Sequence, residues 1–445
     1  MRRGTAERVR TLVAAGEALR ARPVGDVLEV VAEACRRWRE PGPDRDAGEE
    51  ALAAHYAVPR RSIAGILDSA FETWTFESLR DWIAAELGDP AVLDGFVSIG
   101  GTHRRAFGPR LAVFLAARGV PTTPVSDLVS TLCVKSPVWL KPPGGADDLA
   151  ERFARTLADI DAAVGDAVVV EGWERGSREG DAILASADLV VTTGGADTVG
   201  AIQREVSADT RLILHGPRLS AAIVLREALG SEAVTTIDAL ARDTAFAGQM
   251  GCLSPVVAYV EASPPEVAEL VEPLHRACSE RWPCSPRGQT GIAERAAFAE
   301  WRGTAGLEAA SGRLSWTGDI DSAWTIVTRR DVHPPDPPPV PRMLTLVPVE
   351  DATETLELFG RRRGTIATVG VAGAAGRVAD LAEPLAAAGV ERICPLESMQ
   401  SPPASWRRDG RPTLADLVRW VDAGVSTPLR PTRSKSKAGG RQSIP

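Results

Sequence analysis

A single thiol stands in a distinctive run, Gly248-Gln249-Met250-Gly251-Cys252-Leu253-Ser254-Pro255. Glycines precede it, a proline follows, and a β-rich stretch, Val256–Val260, begins directly after. Small residues let the backbone approach a ligand closely, and the proline stiffens the exit. A thiolate so held suits acyl transfer, because it is both a strong nucleophile and a good leaving group. Taken alone, a cysteine is more commonly a small buried hydrophobe. A second run, Val190-Val-Thr-Thr193-Gly194-Gly195-Ala-Asp197-Thr198-Val199-Gly200, reads as strand, glycine turn and helix. Such a turn can aim backbone N–H groups and a helix N-terminus at a phosphate. It lacks the G-x-G-x-x-G spacing, and two glycines after a strand can also mark nothing more than a tight turn.

These residues need elements to position them. Thr5–Ala21 and Val24–Trp38 carry apolar residues at helical spacing, and Pro59–Leu87 accommodates two further helices, so residues 1–90 read as a helical arm. From about Gly95 short β-rich runs alternate with helical ones. Strands are expected at Leu111–Leu115, Val138–Leu140, Ala167–Val170, Leu189–Thr192, Leu212–Leu214 and Val234–Ile237, with helices such as Asp147–Val164 and Asp197–Val206 between them. A second series follows the thiol: strands at Val256–Val260, Leu344–Val347, Thr365–Val371 and Arg392–Cys394, helices at Pro265–Arg281, Ala352–Phe359 and Val378–Ala388. Alternating β and α implies parallel sheets covered on both faces. The expected fold is α/β, with two Rossmann-like units, at 91–240 and 241–425, behind the arm. His333–Pro341 is proline-rich and reads as a stiff connection inside the second unit. Residues 426–445 carry basic side chains without an acid and little that could build a core, and read as a disordered basic tail.

The chain has 445 residues, a formal net charge of −8 and a pI near 5.4, which speaks against an extended nucleic-acid-binding surface. No apolar run reaches the roughly 18–20 residues of a membrane span, and no secretion signal is expected. The cysteines form no C-x-x-C pair and read as reduced thiols of a cytoplasmic protein. His275, Cys278 and Cys284 lack a fourth ligand at any common zinc spacing, so no metal is expected. Neither a G-x-S-x-G elbow nor a Walker loop is present.

Gly-Gln-x-x-Cys-x-Ser-Pro resembles the cysteine motif of the aldehyde dehydrogenase superfamily. Between about Glu77 and Asp422 the chain more closely resembles the LuxC-type acyl-CoA reductases, the branch that supplies long-chain aldehyde to bacterial luciferase. The resemblance rests on Glu86-Leu-Gly-Asp-Pro90 with Leu93-Asp-Gly-Phe96, on Val134-Lys-Ser-Pro-Val-Trp-Leu-Lys-Pro142, and on His215-Gly-Pro-Arg-Leu-Ser220. Cys394-Pro-Leu396, Met399-Gln400, Asp409-Gly-Arg-Pro412 and Asp416-Leu-Val-Arg-Trp420 complete it in order. It implies an aldehyde-dehydrogenase-like fold and Cys252 as the nucleophile that takes the acyl group from a thioester. Hydride from a nicotinamide then releases a fatty aldehyde.

Aldehyde-oxidising relatives carry a water-activating glutamate some thirty-odd residues ahead of the cysteine; here His215 falls 37 residues ahead. The resemblance therefore offers His215 either as a base toward Cys252 or the acid for the leaving thiolate, beside a plainer role as a hydrogen-bonded strand-end histidine. Those relatives also place an oxyanion-binding asparagine where this chain has Arg118-Gly119-Val120-Pro121, without a side-chain amide. Thr193, Gly194, Gly195 and Thr198 resemble the superfamily's Thr-Gly-Ser phosphate turn with one residue more. Lys141 matches the lysine of its Lys-Pro-Ser-Glu ribose clamp, and Gly144 replaces the glutamate. A glutamate would repel a 2′-phosphate and glycine beside a lysine tolerates one, so NADPH is the expected cofactor. Expected partners are an acyl-CoA or acyl-carrier substrate and an acyl-transfer protein, and the resemblance implies a homo-oligomer. A catalytically silent descendant acting as an acyl-binding scaffold is the competing class; the absent asparagine and Glu397-Ser398 in the closing signature favour it, the intact cysteine motif opposes it.

Overall fold

The computed structural model describes residues 4–144, 148–284 and 291–424; the basic tail expected at 426–445 lies outside the described residues. The arm has five helices, α1 (Thr5–Ala21), α2 (Val24–Arg39), α3 (Pro43–Tyr56), α4 (Arg60–Phe71) and α5 (Phe76–Leu87). The stripe Val24, Val27, Leu28, Val31, Cys35 and Trp38 on α2 is buried, as its spacing requires. Helix α3 has little apolar signal and escapes a periodicity reading; it docks through Gly48, where a Cβ would come within 2.3 Å of the Trp38 ring.

A hairpin, β1 (Val97–Ile99) and β2 (Thr102–Phe107), leads into β3 (Ala112–Leu115), helix α6 (Thr123–Cys133), β4 (Val138–Lys141), β5 (Val168–Val170), β6 (Leu189–Thr193) and β7 (Arg211–His215). Strands β3–β7 form a parallel sheet in the order β5-β4-β3-β6-β7. The chain order reverses between β3 and β6, and ligands of such sheets bind at the carboxyl ends of the strands beside that point. The second sheet takes β8 (Leu219–Val224), β9 (Pro255–Glu261), β10 (Leu314–Thr317), β11 (Thr325–Arg329), β12 (Met343–Val349), β13 (Ile366–Ala372) and β14 (Ile393–Pro395). Its order is β10-β11-β12-β9-β8-β13-β14, parallel except at β10. Last, β15 (Arg419–Ala423) returns to pair antiparallel with β2.

Two sequence expectations fail here. Val234–Ile237 is not a strand but part of the helix Ala233–Ala245, whose Thr236, Ala239, Leu240 and Asp243 turn one buried face inward at helical spacing. The strands overlooked are the short or edge strands β1, β2, β10, β11 and β15 and, of most consequence, β8, Leu-Ser-Ala-Ala-Ile-Val, whose serine and two alanines carry little β signal. Its central seat, buried between β9 and β13, comes from tertiary packing. The first sheet therefore ends at His215 and the second begins at Leu219, so the crossing falls at residues 216–218 rather than near residue 240.

One hydrophobic cluster runs from Leu19 and α2 through Phe114 and Leu140 to Val260 and Leu346, so the arm shares its core with both sheets. Two side chains from the family-like motifs tie it down. Lys135, 2% exposed, donates from Nζ to the carbonyls of Arg20 and Arg22 at 3.1 and 2.8 Å and to Asp94 Oδ1 at 2.5 Å. Glu86 on α5 accepts from the backbone N–H groups of Thr413, Leu414 and Ala415 at 3.2, 2.6 and 3.0 Å, anchoring the segment that precedes β15. Glu86→Ala would strand those three N–H groups. A loss of about 1–3 kcal/mol is expected, read as a lower midpoint in urea unfolding.

Candidate active site

The approach to Cys252 is a forced turn. Ala247, Gly248 and Gln249 take φ values of 47°, 64° and 63°, three consecutive left-handed residues of which only the glycine does so without penalty. The Gln249 side chain secures the turn: its amide nitrogen donates to the carbonyls of Pro255 and Met343 at 2.9 and 2.7 Å, and its oxygen accepts from Met343 N–H at 2.8 Å. Gly251 is required by a neighbour, since a Cβ there would lie 2.8 Å from Val120 Cγ2. Ser220 Oγ, at the start of β8, donates to the Cys252 carbonyl at 2.7 Å. Cys252 alone among the six cysteines is exposed, and it opens onto a cleft of about 650 Å³.

His215 lines the same cleft at the end of β7. Its Nδ1 lies 2.5 Å from Asp409 Oδ2, while Arg218 Nε donates to Asp409 Oδ1 at 2.9 Å. Burial alone would raise the Asp409 pKa, but hydrogen bonds from His215 and Arg218 outweigh it and hold the carboxyl at about 2. An ionised Asp409 can only accept, so Nδ1 carries the proton and Nε2 is left as the free base. Burial lowers the His215 pKa despite the pull of Asp409, which keeps the ring neutral at neutral pH. The Cys252 residue is reached through the cleft, yet protein surrounds the thiol on its other sides. That burial raises its pKa, with Arg408 working against the rise. Alkylation of Cys252 by iodoacetamide is therefore expected to accelerate steadily up to and beyond roughly pH 9. A plateau in the rate at neutral pH, followed by peptide mass mapping, would contradict it.

The glycine turn adjoins the histidine. Thr193 pairs with His215 across β6 and β7, and Gly194 N–H donates to the His215 carbonyl at 3.0 Å. Helix Ala196–Glu205 starts directly after the turn. Space beyond Gly195 is open, and a Cβ on Gly194 would press on Thr198 at 3.1 Å. A recess of about 230 Å³ opens here between Lys141, Trp173, Arg175, Thr192 and Thr198. Lys141 Nζ stands 5.2 Å over the Trp173 ring. Thr192 Oγ1 is buried with no hydrogen-bond partner among the described residues. An orphaned hydroxyl, glycines without side chains and a lysine over an aromatic ring fit a dinucleotide.

An acyl-CoA reductase (LuxC) family model matches residues 19–420. The chain belongs to that family. A long-chain acyl-protein thioester reductase of Photorhabdus luminescens is 25% identical over 183 residues, which make up 40% of this chain and 37% of that protein, so the chain spans little more than a third of the curated relative it matches. Two solved structures show the same aldehyde-dehydrogenase-like fold. An NADP-dependent glyceraldehyde-3-phosphate dehydrogenase from Bacillus halodurans aligns with a TM-score of 0.70 at 15% identity, over 94% of this chain and 90% of that one. An NAD-dependent benzaldehyde dehydrogenase from Corynebacterium glutamicum gives 0.66 at 14%, over 95% and 91%.

Within this LuxC-family chain, His215-Gly-Pro-Arg-Leu-Ser220 supplies the histidine, the arginine that holds its aspartate, and the serine that pins the Cys252 carbonyl. Gln400 Nε2 donates to the Asp243 carbonyl at 2.8 Å and to Ser254 Oγ at 3.3 Å, bracing the exit from Cys252. Asp409 was legible only as a motif letter; its left-handed φ of 57° before Gly410 turns its carboxylate toward a partner 194 residues away. Where an oxyanion asparagine is absent, Val120 packs on the loop that carries Cys252, and Arg118 Nε donates to the Gly144 carbonyl at 3.1 Å. Of the two cations that act on Cys252, Arg408 and Arg218, Arg408 has the larger effect; it donates to Thr193 Oγ1 at 3.2 Å and had no role in the sequence reading. Among the described residues no helix is long and apolar enough to cross a membrane.

Proposed function

We propose that the chain reduces an acyl thioester, carried by CoA or by an acyl-carrier or acyl-transfer protein, to an aldehyde with NADPH through an acyl group on Cys252. The observation that carries this reading is one cleft holding an exposed Cys252 and a neutral, aspartate-held His215, with a dinucleotide-type turn hydrogen-bonded to the same histidine. Family membership and the Photorhabdus relative's activity support it. So does the NADP found in the Bacillus halodurans enzyme of like fold.

His215 Nε2 accepts the Cys252 proton as Sγ attacks the thioester carbonyl, and returns it to the departing carrier thiolate. Asp409 and Arg218 fix the imidazole so that Nε2, not Nδ1, faces this work. Arg408 takes the place of the absent amide by countering negative charge that builds on the carbonyl oxygen. Gly194, Gly195 and Thr198 would hold the pyrophosphate of NADPH, and Lys141 its ribose and 2′-phosphate. Bound there, NADPH supplies the hydride that reduces the acyl carbon. Cys252 then leaves as thiolate and takes up a new proton from solvent, its own having departed with the carrier thiol. No carboxylate stands at the position of His215, so hydrolysis of the acyl-enzyme gains no carboxylate base there.

The test mixes purified chain with NADPH or NADH and a panel of acyl-CoAs and acylated carrier proteins, following cofactor absorbance and trapped aldehyde. Turnover is expected, with NADPH favoured about tenfold or more, the scale of one charge-assisted hydrogen bond. NADPH binding without turnover of any donor would overturn the reductase reading in favour of a scaffold.

A further inference from the structure

The cleft continues past Cys252 between α6 and the arm. Its arm side is mainly apolar, with Ile66, Ala70, Trp74 and Trp82 among Ser69 and Thr73, and the Ser69 hydroxyl is already given to the Gln400 carbonyl at 2.8 Å. The facing wall is different. On α6 the residues lining the cleft are Thr123, Ser126, Asp127 and Ser130, an i, i+3, i+4, i+7 stripe that is polar throughout. The helix's apolar residues, Val125, Leu128, Val129 and Leu132, are all buried in the core behind it. Ser130 Oγ is spent on the Asp127 carbonyl, at 3.0 Å. The Asp127 carboxylate has no hydrogen bond or ion pair among the described residues. The cation acting on it, Arg408, gives a hydrogen bond to Thr193. Enclosure by protein, offset only in part by Arg408, pushes Asp127 to about 7. An unpartnered carboxylate in a channel meant for a plain alkyl chain would be a standing penalty. A substrate group that donates hydrogen bonds would relieve it.

We infer that Asp127 is a specificity-determining residue of this channel, and that the preferred acyl group carries a hydrogen-bond donor, an amine or a hydroxyl, rather than being an unsubstituted fatty chain. The inference rests on the acyl-thioester reading above and deepens it. The neighbouring Ser126 and Thr123 hydroxyls extend the polar wall along which such a donor would lie. A site built around a substrate donor discriminates strongly against the analogue lacking it, because the protein group is then left unpaired.

The experiment measures how fast Cys252 is acylated, by intact mass, without relying on reduction. The probes are hexanoyl-CoA and hexanoyl-CoAs bearing a hydroxyl or an amine at the third, fourth or sixth carbon. Wild type is compared with Asp127→Asn and Asp127→Leu, each first checked for an unchanged melting transition. At least one donor-bearing probe is expected to acylate wild type on the order of 10²-fold faster than hexanoyl-CoA. That ratio should shrink in Asp127→Asn and approach or fall below one in Asp127→Leu, and the position and kind of the best donor identify the substrate group. Wild type preferring plain hexanoyl-CoA, with all probes affected alike by Asp127→Leu, would overturn the inference while leaving the acyl-enzyme reading intact. Acylation by none of the probes, when acylated carrier proteins also fail, would overturn both.

Discussion

Cys252→Ser is expected to lower aldehyde formation on the order of 10⁴–10⁶-fold, the range seen when a covalent nucleophile is lost from an intact site. The argument is chemical. A hydroxyl in the same place is a far weaker nucleophile than a thiol near neutral pH, and the serine alkoxide would be a poorer leaving group than the cysteine thiolate when the aldehyde departs. The substitution is small, and Cys252 makes its structural contribution through its carbonyl, which Ser220 would still hold. The melting transition and NADPH affinity should therefore stay at wild-type values. Intact mass after mixing with acyl-CoA alone should show one acyl adduct on wild type and none on the variant. Retained turnover in Cys252→Ser would mean that the thiol is not the acyl carrier.

Asp409→Asn should cost about 10²–10⁴-fold in kcat/KM, through the histidine it holds rather than through contact with substrate. Arg218 Nε requires an acceptor at the 409 side chain, so an asparagine would keep its oxygen toward Arg218. Its NH₂ group would then face His215 Nδ1 and demand an acceptor there. The imidazole would have to move its proton to Nε2, the atom that must accept the Cys252 proton. The loss should appear mainly in the acylation step, measured by rapid quench, and ¹⁵N chemical shifts should report the exchanged tautomer. Asp409→Glu, which restores a carboxylate one methylene longer, should recover part of the rate. A lowered melting transition with unchanged acylation and tautomer would assign Asp409 a structural role only.

Much of this protein was legible along the chain. Alternating β and α runs implied parallel sheets, and the structure has two. The strand that follows Cys252 and the strand that ends at Thr193 fall where branched residues cluster. The polyproline run does bridge two strands of the second sheet, β11 and β12. The weak points have a common cause. Strand β8 and helix Ala233–Ala245 were misread because a central strand rich in alanine and serine carries little local preference, whereas Val-Thr-Thr-Ile imitates a strand that the packing of a helix overrides. That exchange moved the crossing between sheets to Gly216-Pro217-Arg218, immediately after His215.

By itself the sequence determined the chemical inventory: a glycine-flanked thiol at a strand entrance, a histidine at a strand end, a glycine turn before a helix and a lysine at the end of β4. Local spacing suffices for these, since each depends on neighbours within one turn or strand. Only the tertiary structure decided what the inventory does together. It paired His215 with Asp409 across 194 residues and turned Arg408 toward Cys252. It also set the polar stripe of α6, which the sequence reading did not single out, against the cleft. Hydrogen bonds and charges act over a few ångströms of space, not of sequence, and here the folding of two sheets onto one arm sets those distances.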